Sequence, residues 1–300
     1  MNESAFLNIV IPAYKREDLL GKLLNSIGMV VPVIVIDNGG HLSEAFTSKY
    51  KNIKFISGPE VDMFSNWNRA ALASDSEWVL MPGDDDLYYE ESMSIIKNEL
   101  MAHPSADIVF FGHNIINGQD EIQSTWVPGC VLLDPPMGFE VLRRGTPARP
   151  PAIAFKKNLF EKLNGFSEEF KITAADNDFY QRASLVGRTA FIDKVVAGYR
   201  VWENGATKQT IATQDWLREI DLWCDRMRDF SQKNTEYCYP RSLKDGIYLD
   251  NLRVGINTLK KHKGHRAAWK HFRNSRYPFL ANPVAQLKLL LALLMPNQSQ

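Results

Sequence analysis

Four short apolar runs mark the first eighty residues: Leu7-Asn8-Ile9-Val10-Ile11, then residues 31–36, 53–56 and 78–81. Two of the intervals between them carry helical spacing. In residues 16–27, Leu19, Leu20, Leu23, Leu24 and Ile27 recur three and four apart, and residues 66–73 show an Ala/Leu face. Strands alternating with helices leave a chain few choices, because each crossover returns to its sheet in parallel and with a right-handed turn. The pattern predicts an α/β fold: a mostly parallel central sheet flanked by helices.

Further along, residues 91–101 read as a helix and 107–112 as a strand. Residues 113–155 are rich in Pro and Gly and predict long loops with short strands, the kind that carry function in a compact domain. A helix over 178–185 and a strand over 189–192 follow, and from about residue 212 the pattern is helical. The expected organisation is a first domain over 1–210, split into halves 1–112 and 113–210, and a helical C-terminal extension over 211–300. No internal repeat or low-complexity segment interrupts it.

The fourth run ends at Pro82-Gly83 and is followed by Asp84-Asp85-Asp86. Carboxylates within about 4–6 Å raise one another's pKa unless something positive sits among them. A bound divalent cation supplies that charge, and a solvated acidic turn is the plainer alternative. Open α/β sheets bind ligands at strand carboxyl ends, which is where this triplet falls. No G-x-G-x-x-G follows the first strand, so the dinucleotide fingerprint is absent.

An ordered series of segments resembles one family. Ile9-Val10-Ile11-Pro12-Ala13-Tyr14-Lys15-Arg16 is similar to the opening strand of family 2 glycosyltransferases, which are inverting enzymes of GT-A fold. Val35-Ile36-Asp37-Asn38 resembles their second strand, and Gly83-Asp84-Asp85-Asp86 their D-x-D metal motif. Asn164-Gly165-Phe166, Glu168-Glu169-Phe170 and Ala175-Asp176-Asn177-Asp178-Phe179 resemble their acceptor-side block. The resemblance spans about residues 7–205.

It implies a nucleotide-diphosphate sugar as donor, a glycan or polyprenyl-diphosphate-linked sugar as acceptor, and Mn²⁺ or Mg²⁺ as cofactor. A cation bridging two phosphates stabilises the charge that develops on the leaving diphosphate. Such ions take oxygen ligands, often one or two carboxylates plus substrate phosphates. Asp86 is the first candidate ligand, Asp84 would meet the ribose or the metal, and Asp85 suits either role. Pro12, Ala13, Tyr14 and Arg16 line the donor site. Tyr14 and Asp37 occupy the positions that hold the nucleobase, although Asp37 before Gly39-Gly40 is also an ordinary turn residue.

Asn68 matches the family's Asn, whereas Trp67 stands where many members carry Arg, and Arg69 or Lys15 is left to supply that positive charge. Inverting transfer also needs a carboxylate to take the acceptor's proton. Asp176 is the first candidate and Asp178 the competitor, with one of them a possible helix N-cap. Ala175 replaces the Glu that precedes this Asp in the family. Trp202 replaces the family's His in Tyr199-Arg200-Val201-Trp202, so its ring is left to stack on sugar; Glu203 or Lys208 are the residues that would compensate. In the 113–155 loops, Arg143, Arg144 and Arg149 are candidates for a phosphate on the acceptor.

The net charge is zero, yet residues 241–300 hold 11 Lys and Arg against Asp245 and Asp250, a net of +9 that leaves −9 for residues 1–240. A basic surface with an anionic partner follows. From Lys260 to Tyr277 basic residues interleave with aromatics, and a leucine-rich stretch comes after. Residues 260–295 therefore suit either a membrane surface or packing on the protein body or a second subunit, as in a homo-oligomer. No nucleic-acid motif accompanies the charge.

Cys130, Cys224 and Cys238 show no paired or metal-type spacing and read as reduced cytosolic thiols. The N-terminus lacks the pattern of a secretory signal, and no run reaches the ~18–20 apolar residues of a membrane span. The resulting expectation is a cytoplasmic enzyme, peripheral on the inner membrane face, in bacterial O-antigen or capsule-type polysaccharide synthesis. The rivals are a nucleotidyltransferase, which lacks here its Gly/Lys-rich first loop, and a non-catalytic binding or scaffold protein of the same fold.

Overall fold

A computed structural model describes residues 6–28, 30–202, 205, 209–275 and 283–294. The chain divides into two compact units. The first comprises residues up to 171 and 175–202, and the second comprises 172–174 with the chain from 203 onward.

The first unit opens with β1 (Leu7–Ala13), α1 (Glu17–Ile27), β2 (Val33–Asn38), α2 (Glu44–Thr47), β3 (Lys54–Gly58), α3 (Met63–Leu72) and β4 (Trp78–Leu80). β1 and β2 are buried at every position, as strands covered on both faces must be. α1 places Glu17 and Asp18 against its own positive N-terminus and turns Leu20, Leu23, Leu24 and Ile27 inward. Burying each of those four side chains contributes roughly 1.5–3 kcal/mol, counted against a fully exposed reference. α3 starts where the Asp62 carboxylate accepts the Ser65 N–H at 3.0 Å.

β5 (Leu87–Tyr88), α4 (Ser92–Ala102), β6 (Ile108–Ile116), β7 (Ile122–Trp126), β8 (Val131–Leu133) and α5 (Met137–Leu142) follow. The unit ends with β9 (Ile153–Lys156), α6 (Lys157–Lys162), α7 (Ala175–Val186) and β10 (Thr189–Arg200). The sheet runs β3-β2-β1-β4-β9-β6-β10-β5, with β7 on β6 and β8 on β10. From β3 to β4 every pairing is parallel. β9 then lies antiparallel to both β4 and β6, and β6 pairs in parallel with β10. The result is a mixed α/β sheet flanked by helices, parallel throughout its N-terminal half.

Residues 113–155 are more ordered than their Pro and Gly content suggests. β6 continues through His113 and Asn114 to Ile116 and turns back into β7. Polar residues within a buried strand hid this continuation. α7 begins at Ala175, so Asp176 and Asp178 both lie in its first turn and neither is the N-cap.

The second unit contains α8 (Gln214–Asn234), α9 (Arg241–Asn274) and α10 (Pro283–Leu294). The Trp216 indole N–H donates to Asn251 Oδ1 at 2.9 Å, and Lys244 meets Asp225 at 2.9 Å, joining α8 to α9. Glu219 accepts the backbone N–H groups of Ile172 and Thr173, the latter at 2.7 Å, which attaches 172–174 to the helices. α9 is broken at Gly264, whose φ of 78° suits a residue without a side chain. All three cysteines are free, with Cys224 buried and the other two exposed. No helix among the described residues is long and apolar enough to cross a membrane.

Candidate active site

The parallel register sets Ala13 opposite Asp37, so β1 and β2 end side by side, and β4 delivers the acidic turn next to them. The Tyr14 backbone N–H donates to Asp84 Oδ2 at 2.8 Å, tying the end of β1 to that turn. Arg16, half exposed, pairs with Asp84 and also with Asp85 Oδ2 at 2.6 Å. Asp84 is 2 % exposed, and burial pushes its carboxyl up to about 6 despite Arg16 and the Tyr14 N–H.

Asp86 faces inward. Its two oxygens accept backbone N–H groups from Gly83 at 2.7 Å and Arg200 at 3.1 Å. Burial, with Asp85 beside it, holds this carboxyl well above the usual range. Asp85 is more open: Oδ2 accepts from Arg16 and from the Trp202 indole N–H at 2.7 Å, while Oδ1 accepts no hydrogen bond among the described residues. The carboxylates of this turn, partly neutralised by Arg16, offer hard oxygens. Among the described residues no three acidic, His or Cys side chains already converge as a cage.

Trp202 therefore does something other than offer a bare face. Its indole orients Asp85, its ring lies 5.8 Å from the Arg200 guanidinium, and a Cβ on Gly118 would come within 3.0 Å of it. Arg200 holds the Asp85 carbonyl at 2.7 Å, the Asn117 carbonyl at 2.6 Å and Asp120 at 2.5 Å. The turn between β6 and β7 thus braces the acidic turn through one buried arginine. Glu203 and Lys208 lie outside the described residues.

Tyr14 projects beside His41 and Glu60. Its hydroxyl donates to Glu60 at 2.8 Å, and the His41 ring meets its ring edge-on at 5.4 Å. Lys15 Nζ lies 4.4 Å from the Tyr14 ring centroid and donates to its hydroxyl. Asp37 uses Oδ1 for the His41 N–H at 2.9 Å and Oδ2 for Leu42 N–H at 3.0 Å and the Ser57 hydroxyl. It therefore shapes the turn that presents His41. His41 and Glu60 gave no signal in the sequence, since each stands in an unremarkable loop.

Three of the expected site residues are engaged by other parts of the protein. Asn68 is engaged elsewhere: its amide makes a two-way bond with the Phe166 backbone, at 2.8 and 2.9 Å. Gly165, at φ +59°, leaves the room for this, because a Cβ there would stand 2.5 Å from Asn68 Oδ1. Arg69 spends both terminal nitrogens on the Pro59 carbonyl, at 3.1 Å each, and so braces the loop after β3.

Asp178 is the third. It is fully buried and paired with Arg182 at 2.8 Å, whose other nitrogens donate to the carbonyls of Leu163 and Gly165. This carboxylate fastens α7 to the 163–165 turn and has no opening towards a substrate.

Asp176 differs. Oδ1 accepts its neighbour's Asn177 N–H at 2.8 Å, and the described residues give it no ion pair. Burial raises its carboxyl above the ordinary value, with the Arg149 guanidinium opposing. Asn177 also accepts the Thr146 N–H at 2.6 Å, fixing the strand of chain that carries Arg149. Arg149 lies over the Tyr199 ring at 5.4 Å, and its buried Nε has no hydrogen-bond partner among the described residues. Tyr199, its hydroxyl pushed up to about 12 by burial, feels Asp86 and Asp85 as well as Asp176 and Arg149. That residue lies within electrostatic range of both the acidic turn and Asp176. His113, buried beside Arg149, is pushed down to about 4 and stays neutral at physiological pH. Arg143 pairs with Glu140 at 2.8 Å on the surface.

A mixed α/β sheet flanked by helices, with carboxylates at the ends of its parallel strands, fits the GT-A fold. The profile of Glycosyl transferase family 2 matches residues 8–167, more than half of the chain. The chain belongs to glycosyl transferase family 2 and is by class a glycosyltransferase. Among solved structures it resembles residues 1–349 of S. aureus TarS, with TM-score 0.58 and 15% identity over 96% of this chain and 80% of that one. The same protein with UDP-GlcNAc gives TM-score 0.61 at 15% identity, over 96% and 81%. Its complex with UDP gives 0.57 at 17%, over 87% and 75%. At such identities the likeness establishes the shared fold. No curated protein matches the chain.

Proposed function

We propose that the chain transfers a sugar, with inversion, from a nucleoside-diphosphate donor to a hydroxyl of a glycan or polyprenyl-diphosphate-linked acceptor. The setting we infer is surface-polysaccharide assembly of the O-antigen or capsule type, on the cytoplasmic side of a bacterial membrane. The observation that carries the reading is Tyr199, within electrostatic reach of the acidic turn on one side and of Asp176 and Arg149 on the other. UDP in a complex of the structurally similar TarS makes uracil the first nucleobase to test.

The donor set of the acidic turn fits Mn²⁺ or Mg²⁺: all oxygen, partly neutralised, and with Asp85 Oδ1 open. Asp85 and Asp86 would hold the ion, and it would supply charge neutralisation at the departing diphosphate. Tyr14, with His41 and Glu60 around it, offers an aromatic edge for the base. Asp84, anchored on the Tyr14 N–H, shapes the ribose side. Asp176 takes the acceptor hydroxyl's proton as that oxygen bonds to the anomeric carbon and the sugar–phosphate bond breaks. A base lifted above the ordinary carboxylate pKa matches this task better than an unperturbed one. Arg149 and neutral His113 border the acceptor.

A thermal-shift panel of UDP, GDP and dTDP, each with and without Mn²⁺, tests the donor half. Ligand at a hundredfold its Kd adds about 2.7 kcal/mol of stability, so the preferred nucleotide identifies itself. Stabilisation by none of them, with or without metal, sinks the reading. Stabilisation without transfer or donor hydrolysis would leave a nucleotide-binding scaffold instead.

A further inference from the structure

The second unit separates its charges along the chain. Residues 251–300 hold nine Lys and Arg and no Asp or Glu. The acids of α8 are matched close by: Asp215 meets Arg218 at 3.0 Å, and Asp225 meets Arg228 at 3.2 Å. Lys261, Lys263, Arg266, Lys270 and Arg273 are exposed, and no carboxylate follows them in sequence. Arg266, Lys270 and Arg273 recur four and three apart and share one helical face.

α10 adds an apolar surface to this charge. Leu289 and Leu293 are buried, while Val284, Leu287, Leu291 and Leu294 are 64%, 59%, 46% and 68% exposed. Those four recur three and four apart and form one face, bordered by exposed Lys288. His265 Nδ1 lies 3.1 Å from the Leu293 carbonyl, so the second half of α9 and α10 are joined. α10 has 12 residues and is about 18 Å long at 1.5 Å per residue, well short of the ~30 Å of a bilayer core.

We propose that α10 and the second half of α9 form a surface that lies on an anionic lipid bilayer, in its plane. Val284, Leu287, Leu291 and Leu294 enter the acyl boundary while the flanking Lys and Arg meet lipid phosphates. The charge complements an anionic lipid surface and disfavours a second copy docked through the same face. A twofold contact through this face would set two stretches of net +9 against each other with no carboxylate between them. The proposal does not depend on the donor site.

The test is cosedimentation of the full chain with vesicles of phosphatidylcholine alone, or mixed with phosphatidylglycerol, at low and high salt. Wild type is expected on the mixed vesicles and released by salt. Each Lys or Arg removed near an anionic surface weakens binding about fivefold, so Lys263→Gln/Arg266→Gln/Lys270→Gln loses on the order of 100-fold. Leu287→Ser/Leu291→Ser, altered on exposed positions, releases the protein at low salt as well. Circular dichroism and the nucleotide thermal shift of both variants are expected to match wild type, which separates this result from any failure of the donor reading.

No binding to mixed vesicles overturns the proposal, as does equal binding to both vesicle types. A dimer in light scattering that the two serines dissociate, with no vesicle binding, assigns the face to a second copy.

Discussion

Asp176 and Asp178 stand two residues apart in one helical turn, and replacing each by Asn should give opposite phenotypes. Asp178 neutralises a buried arginine, at 2.8 Å from Nη2 and 2.9 Å from Nε. Asp178→Asn removes a carboxylate that pairs with that buried guanidinium, which costs about 3–5 kcal/mol. At roughly 2–4 °C per kcal/mol for a chain of this class, the melting temperature should fall on the order of 10 °C.

Asp176 is raised by burial, so its charge is a burden on the folded state and Asp176→Asn should melt at or above the wild-type temperature. Its turnover should nonetheless fall by about 10²–10⁴, the usual contribution of a positioned general base. The assay pairs differential scanning fluorimetry with kcat measured well below either melting point. The wild-type rate should also drop on acidification before ordinary carboxylates protonate, because the base is lost once Asp176 takes its proton. A cool-melting but fully active Asp176→Asn together with a stable, inactive Asp178→Asn would refute the assignment.

Asp84, lifted to about 6 from 3.8, carries a penalty of about 3 kcal/mol when charged, at 1.36 kcal/mol per pKa unit. Asp84→Asn should therefore raise the melting temperature of the nucleotide-free protein at pH 8. The gain should shrink as pH falls through 6 towards 4, where the folded wild type has already taken up the proton; a gain equal at both pH values contradicts the cause. Trp202→Phe keeps a ring against Gly118 but removes the N–H on Asp85 Oδ2. Loss of a hydrogen bond to a charged group, about 1.5 kcal/mol or more, should weaken UDP binding in Mn²⁺ roughly tenfold by calorimetry. Unchanged affinity would show that Asp85 needs no such guide.

What was legible in the sequence was whatever a local pattern must satisfy by itself. The acidic triplet after an apolar run could lie at little else than the end of a buried strand, and the helical spacing of Leu20, Leu23, Leu24 and Ile27 had one face to bury. Partner choice was not local. Asn68 matched a family motif, yet its amide went to a backbone ninety-eight residues away, because Gly165 opens the space. Trp202 depends on the phase of β10, and that strand shifts register between Ile192 and Ala197, so no count of alternating residues predicts where its indole points.

Asp178 was the readable case. An Asp four residues before an Arg on one helix is the spacing of an ion pair, and Arg182 stood in the sequence at that distance. A fully buried carboxylate already paired with an arginine of its own helix is closed off from an acceptor hydroxyl. Asp176 has no Lys or Arg three or four residues on, only Phe179 and Tyr180. The carboxylate without a helical partner is the one we propose as base, and the local rule for helix pairs tells the two apart.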